Sequence, residues 1–362
     1  MGLVTYAIAA AGTGGHVYPG LAVGEALVSG DVRRDEVLFI GGSRLEATVY
    51  PRAGFPFLEV PVRGLQRSLT PSNLTLPVVV GRAVRRMRRQ LASRGVRVLL
   101  VVGGYASVPA GWAARRMSIP VFVQEQNAEA GLANRLVARW AERVFGSFPA
   151  TKGLPGAEWV GNPVRANLAA FSRPDLRADA LRRYRLEPGR VTVGVFGGSL
   201  GAGVINRAIL TMMEEWQGQA VQVVHLAGRS RAGELSEPAG ASEIPWVVLD
   251  FEPEMQYFFA ACDLVVARAG GAVAELCVTG TPSVLVPGEF GSGHHQQANA
   301  VVMAQRGAAV VIAEADIDRL GAVVAELASS TDRRRRMSRA AASLGRPEAA
   351  RVIARAMRER HG

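Results

Sequence analysis

Apolar residues fall along this chain in short unbroken runs. In the first half they occupy residues 3–10, 37–40, 98–102 and 120–124, and in the second half residues 191–196, 221–226, 246–249, 264–267 and 283–286. A strand covered on both sides needs apolar side chains on both, so continuous runs predict central strands of parallel sheets. Between them lie helix-like stretches at residues 20–29, 75–94, 108–117, 132–141, 203–216, 272–279 and 296–306. Strand and helix in succession predict an α/β protein with crossover connections. At Gly161 to Arg165 the series breaks: GNPVR leads into a polar, arginine-rich stretch that lasts to Pro188. A hinge is expected there, with residues 1–163 in a first doubly wound domain and residues 164–340 in a second. Residues 341–362 are helical by composition, which leaves open whether they pack back on the first domain.

Composition narrows the class. A chain of 362 residues exceeds what one core usually organises, and 49% apolar with 20% charged residues describes a globular protein. The opening MGLVTYAIAA lacks a basic n-region and runs into a glycine turn, which predicts a first strand and no signal peptide. No run approaches the roughly 18 apolar residues of a membrane span. Cys262 and Cys277 lie in apolar segments without metal-ligand spacing, as expected of buried thiols in a reducing, cytoplasmic compartment. The net charge of +11 is carried almost wholly by arginine, Lys152 being the only lysine. It admits nucleic acid, an acidic membrane face or a phosphorylated substrate and does not choose among them. The run Arg333 to Arg336 reads as a solvated helix face.

Candidate chemistry gathers where glycines follow strands. AGTGGH, Ala11 to His16, and GGSLGA, Gly197 to Ala202, each follow an apolar run and open a helix-like segment. Glycine lets backbone N–H groups approach an anion, and the helix end carries partial positive charge, so each turn predicts a phosphate cradle. Neither fits GxGxxG, and GxxxxGK[ST] is absent, which argues against a nicotinamide fold and a P-loop nucleotidase. GGYAS (Gly103 to Ser107) and EQN (Glu125 to Asn127) also sit just after strands, where open α/β sheets place ligands. For Gly103 and Gly104 a tight turn competes with anion binding; for Glu125 a helix-capping or ion-pair carboxylate competes with chemistry. Tyr105 is a substrate-binding candidate whose alternative is packing. In the second half Gly270 and Gly271 precede a helix holding Glu275, a carboxylate suited to paired ribose hydroxyls. Gln296, Gln297 and Asn299 follow in HHQQANA. The adjacent histidines lack a third ligand and no DxD pair is present, so no metal site and no cofactor are expected.

GTGGH, GGYAS, EQN, GNPVR, GGSLGA, RAGGAVAE and HQQANA, in this order, resemble the motif series of the MurG family. These are the UDP-N-acetylglucosamine:lipid I N-acetylglucosaminyltransferases of peptidoglycan synthesis, in glycosyltransferase family 28. The resemblance runs from about Ala9 to Ala300. It implies a GT-B fold, two Rossmann-like doubly wound parallel-sheet domains facing each other across a cleft. It implies UDP-N-acetylglucosamine on the second domain, with Ser199, Arg165, Glu275, Gln296 and Gln297 as binding residues and Glu252 meeting the uracil through its backbone. Thr13, Gly14, Gly15 and Asn127 are implied in donor or cleft contacts, and the glycine loops of the first domain face the acceptor's pyrophosphate. Three departures stand out. Ala11 replaces a glycine, RAGGAVAE is one residue short and lacks a threonine, and His294 replaces an aspartate.

The implied reaction is an inverting transfer to the acceptor's 4-hydroxyl. A base must take a proton and dipoles or cations must meet the leaving diphosphate. His16 is the first candidate base and Glu125 the second; Gly270, Gly271, Ser199 and Arg165 are candidates for the leaving-group charge. The implied acceptor is polyprenyl-pyrophosphate-linked, at the cytoplasmic face of the membrane, with the first domain facing it. Leu74, Leu76 and Val78 to Val80, followed by Arg82, Arg85, Arg86, Arg88 and Arg89, would suit peripheral attachment to anionic lipid, extended by Trp112, Arg115 and Arg116. An amphipathic helix covering a sheet is the competing reading. Other GT-B enzymes, such as a glycolipid glucosyltransferase or a UDP-N-acetylglucosamine epimerase, differ in the acceptor loops. A nucleic-acid binder is disfavoured, because interleaved aromatics and reader motifs are missing.

Overall fold

The computed structural model describes residues 5–60, 76–197, 202–216, 220–228, 231–288 and 295–361, apart from the side chains of residues 76–80 and 361. The chain divides into two compact units, residues 1–166 with 347–362 and residues 167–346. The first holds strands β1 (Tyr6–Ala10), β2 (Val37–Gly41), β3 (Phe57–Glu59), β4 (Val98–Gly103), β5 (Val121–Glu125), β6 (Arg143–Gly146) and β7 (Glu158–Trp159). The second holds β8 (Val191–Phe196), β9 (Val221–Leu226), β10 (Trp246–Leu249), β11 (Leu264–Ala267), β12 (Ser283–Leu285) and β13 (Ala309–Val311). Their orders are β3-β2-β1-β4-β5-β6-β7 and β10-β9-β8-β11-β12-β13. Every pairing is parallel. In each sheet the order reverses beside the first strand, at β1/β4 and at β8/β11, and such switch points are where doubly wound sheets bind ligands.

The unbroken apolar runs have a direct structural cause. In the first unit Ile8, Phe39, Leu100 and Phe122 enter one core layer, while their neighbours Ala7, Leu38, Leu99 and Val121 enter another on the opposite face. Helix Leu76–Arg94 covers the second layer with Val84, Met87 and Leu91. The final helix, Ala349–His361, brings Ile353 and Met357 into the first layer, which is why residues 347–362 belong to this unit. Each such side chain removed from water contributes about 1.5–3 kcal/mol. In the second unit Val193, Val223, Leu264 and Val284 pack with Ile205, Ile209, Val324 and Leu327.

The arginine-rich stretch after GNPVR is structured. Helix Arg173–Arg183 lies on helix Met255–Ala261. Arg177 donates to the carbonyl oxygens of Ala260 and Ala261 and pairs with Asp263 at 3.0 Å, and Arg173 donates to the Cys262 carbonyl. Carbonyls at a helix C-terminus lack helical partners, so cations there supply what the backbone cannot. The short strands β3, β6 and β7 escape the apolar-run reading because they are brief and partly polar, and β13, three apolar residues, escapes it by brevity alone. Arg143 of β6, for example, grips Glu158 of β7 through bonds of 2.8 and 2.6 Å. Among the described residues no helix is long and apolar enough to cross a membrane.

Candidate active site

In the first unit the loops after β1, β2, β4 and β5 interlock. Leaving β1, Gly12 adopts φ +106°, a left-handed conformation that glycine alone enters at little cost. Thr13 caps helix Gly14–Val28, and its carbonyl accepts the N–H groups of His16 and Val17 at 3.0 and 3.1 Å. Gly14 and Gly15 stand in the first turn, where amides have no helical acceptor. The helix starts six residues before the expected 20–29, since two glycines and Pro19 mask its beginning. His16 Nδ1 lies 3.2 Å from Thr13 Oγ1.

The glycine pair of GGYAS has a packing cause. A Cβ on Gly103 would stand 2.7 Å from His16 Nε2, and one on Gly104 would stand 2.0 Å from the Ala11 carbonyl oxygen. Both have positive φ, +132° and +84°. The β4 loop therefore passes directly against His16 and the first glycine turn. Tyr105 donates its hydroxyl to Glu46 Oε1 at 2.9 Å. Burial, and then that bond, push its pKa up to about 12.

Glu46 is a residue the motif reading missed. It is fully buried, and besides Tyr105 it accepts the N–H of Gly42 at 2.9 Å and of Gly12 at 3.3 Å. The sequence offers one local cue, a glycine pair, Gly41 and Gly42, that ends a strand with a carboxylate within a turn; the bonds to Gly12 and Tyr105, 34 and 59 residues away, it does not mark.

Glu125 is 1% exposed and fully engaged. Oε1 accepts the backbone N–H and the side-chain amide of Asn127 at 2.9 and 3.0 Å; Oε2 accepts from Gly131 N–H at 3.0 Å and Asn134 Nδ2 at 2.9 Å. Four donors on two oxygens make it the anchor of its loop. Gln124 Nε2 donates to Asn162 Oδ1 at 3.1 Å, tying GNPVR to the end of β5. Arg165 lies within the first unit, its guanidinium 5.9 Å from the centre of the Tyr18 ring.

In the second unit the turns after β11 and β12 meet. Arg268, the first residue beyond β11 and another that the motif reading passed over, donates to the Val286 carbonyl at 3.0 Å and pairs with Glu314. Gln296 Oε1 accepts the Gly288 N–H at 2.8 Å, and Asn299 Nδ2 donates to the Ala269 carbonyl at 3.0 Å. Gly270 and Gly271 then lead into helix Ala272–Thr279, with half-buried Glu275 in its first turn; Gln297 is exposed. Glu252, buried after β10, accepts two bonds from Arg183 at 3.1 and 3.0 Å and one from the Tyr184 hydroxyl at 2.6 Å. Its carboxylate is thus occupied within the fold. Ser199 and His294 lie outside the described residues. Among the described residues no three His, Cys, Asp or Glu side chains are grouped so as to hold a metal ion.

Residues 6–146 match the glycosyltransferase family 28 N-terminal domain and residues 192–353 its C-terminal domain. The chain is 37% identical to the UDP-N-acetylglucosamine–N-acetylmuramyl-(pentapeptide) pyrophosphoryl-undecaprenol N-acetylglucosamine transferase of Mycolicibacterium paratuberculosis, covering 98% of this chain and 88% of the relative. It is 39% identical to the Salinibacter ruber protein of that name, over 95% and 93% of the two chains. In fold it is similar to the crystal structure of Acinetobacter baumannii MurG, with a TM-score of 0.78, 23% identity, and coverage of 98% and 99%. A UDP-GlcNAc 2-epimerase from Neisseria meningitidis is a more distant neighbour, with a TM-score of 0.68, 12% identity, and coverage of 98% and 100%. Two doubly wound parallel sheets, both family-domain matches and near full-length identity of this order place the chain in glycosyltransferase family 28, with the GT-B fold, as a member of the MurG family.

Proposed function

We propose that the protein moves N-acetylglucosamine from UDP-N-acetylglucosamine to the 4-hydroxyl of the MurNAc unit of undecaprenyl-pyrophosphoryl-MurNAc-pentapeptide, converting lipid I to lipid II. The observation that carries this reading is identity of 37–39% over 95–98% of the chain to relatives that bear that activity in their names.

The donor binds at the strand ends of the second unit. Gly270 and Gly271 offer the helix N-terminus to the diphosphate, Glu275 accepts from the ribose hydroxyls, and Gln296 and Gln297 contact ribose or sugar. Glu252 meets the uracil through its backbone, and Ser199 joins the diphosphate contacts. Arg165, from GNPVR, adds a cation as UDP departs. The acceptor binds at the strand ends of the first unit, where Thr13, Gly14 and Gly15 face its pyrophosphate and Tyr105 and Asn127 border it.

His16 takes the proton of the attacking hydroxyl. For Nε2 to carry the lone pair, Nδ1 must be the protonated nitrogen, and the Thr13 hydroxyl oxygen 3.2 Å away is placed to accept that N–H. The hydroxyl oxygen then attacks the anomeric carbon, the bond to the UDP oxygen breaks, and configuration inverts. Glu125 acts on this step through the loop it anchors.

The lipid-linked acceptor calls for peripheral attachment at the cytoplasmic membrane face. Helix Leu76–Arg94 supports this with exposed Arg82, Arg85, Arg86, Arg88 and Arg89 opposite buried Val84, Met87 and Leu91. Exposed Trp112, Arg115 and Arg116 follow on the neighbouring helix Ser107–Arg115 and its cap. Leu74 and the side chains of Leu76 and Val78 to Val80 lie outside the described residues. Nucleic acid has no part in this reading.

Calorimetry with UDP and UDP-N-acetylglucosamine, paired with turnover on a lipid I analogue, tests the proposal. Specific donor binding and UDP release only with acceptor are expected; no binding of either nucleotide would overturn it.

A further inference from the structure

One glycine pair, Gly41 and Gly42, has no place in the motifs of the reaction, and its surroundings account for it. A Cβ on Gly41 would stand 2.6 Å from Glu46 Cγ, and one on Gly42 would stand 1.7 Å from the Tyr105 hydroxyl oxygen. The pair clears the space in which Glu46 and Tyr105 meet. Glu46, the first residue of helix Glu46–Arg52, then bonds three separate segments: Gly12 after β1, Gly42 after β2 and Tyr105 after β4.

We propose that Glu46 is a positioning residue for the transfer, holding the first glycine turn and the adjoining His16 in working register through Gly12 and Tyr105. The inference rests on the transferase reading above. Three neutral donors converge on a buried carboxylate, the kind of charge-assisted bonding that fixes geometry strongly. Because the Gly12 N–H is spent on Glu46, it is withdrawn from the anion cradle, which leaves the work to the amides of the following helix turn. Thr13 comes next in the chain, and Thr13 orients His16. The β4 loop reaches the same ring from the other side, through Gly103, and Tyr105 ties that loop to the same carboxylate. Loss of Glu46 therefore releases both walls around the imidazole, and small misplacements of a reacting group slow catalysis steeply.

The test compares Glu46→Gln, Glu46→Asp and Tyr105→Phe with the wild type. Glutamine keeps the size but puts an amide NH2 in place of one oxygen, facing either the Gly12 N–H or the Gly42 N–H and Tyr105 hydroxyl, so at least one donor loses its acceptor. Expected for Glu46→Gln is a fall in kcat of about tenfold or more, with the Kd for UDP-N-acetylglucosamine within twofold of wild type. An absorbance titration should show one tyrosine ionising at lower pH than in the wild type, because the Glu46 contribution is gone while burial remains, and the shift should vanish when Tyr105→Phe is added. A brace that serves stability alone would lower the melting temperature without this split between kcat and donor Kd. Glu46→Asp keeps the charge and withdraws it by one methylene; it should fold and still lose kcat, which covers the case in which the glutamine variant does not fold. A folded Glu46→Gln or Glu46→Asp with wild-type kcat overturns the role of Glu46 alone. A wild-type chain that transfers no sugar to a lipid I analogue overturns the transferase reading and this role together.

Discussion

The strand-end loops of the two units are fastened by different electrostatic means. In the first unit the buried carboxylates of Glu46 and Glu125 accept from backbone amides, a tyrosine hydroxyl and asparagine amides, all neutral. In the second, Glu314 is matched by Arg268 and Glu252 by Arg183, and the turns themselves are pinned by Gln296 and Asn299. The first arrangement sets a buried carboxylate against the loop that carries His16. The second cancels negative charge in the unit proposed to hold the anionic donor. Under the proposed function, one copy of the architecture handles the proton and the other binds the diphosphate.

The sharpest way to break this contrast is His16→Ala. Loss of a general base should lower kcat by about 10²–10⁴-fold, while calorimetric affinity for UDP-N-acetylglucosamine stays unchanged, because His16 is not among the residues proposed to hold the donor. Near-normal turnover would remove His16 from the reaction.

Glu125→Gln separates an anchor from a base. With four donors aimed at its two oxygens, the amide leaves at least one donor unmet, so stability in urea should drop by about 1–3 kcal/mol with a moderate loss of kcat. Unchanged stability with abolished turnover would make Glu125 the base instead.

The smallest effect near neutrality concerns the second unit's core. His225 is buried in β9, 3.1 Å from Asn206 Oδ1 and stacked on Trp246, and burial pushes its pKa from 6.5 down to about 3. Below its unfolded pKa the unfolded chain binds the proton that the folded chain refuses. Stability is therefore complete above about pH 6.5 and is lost progressively toward pH 3, by about 1–2 kcal/mol at pH 5. His225→Gln should flatten that slope in denaturant titrations between pH 7 and 5; an unaltered slope would show that other groups set it.

Most of the central strands were legible because a doubly covered strand cannot hide its composition: β8 to β11 coincide with the apolar runs at 191–196, 221–226, 246–249 and 264–267. The short strands β6 and β7 were not, since Arg143 and Glu158 pair across the sheet's edge and read as polar linker. The helix at Arg173–Arg183 was hidden for a similar reason, its arginines being spent on the carbonyl oxygens of Ala260, Ala261 and Cys262. Glycine turns were visible as turns, yet their cause was not: Gly103 and Gly104 are required by the His16 ring and the Ala11 carbonyl.

By itself the sequence determined the alternation of buried strands and helices and the order of motifs that marks the family, since both are written in local composition and spacing. Tertiary structure alone decided that Glu46 joins three loops, that Arg165 lies beside Tyr18, and that the last helix returns to the first unit's core. The physical reason is common to all three. Each depends on which donors, rings and apolar faces meet across tens or hundreds of residues of chain, and a carboxylate or an arginine carries no local mark of the partner it will find.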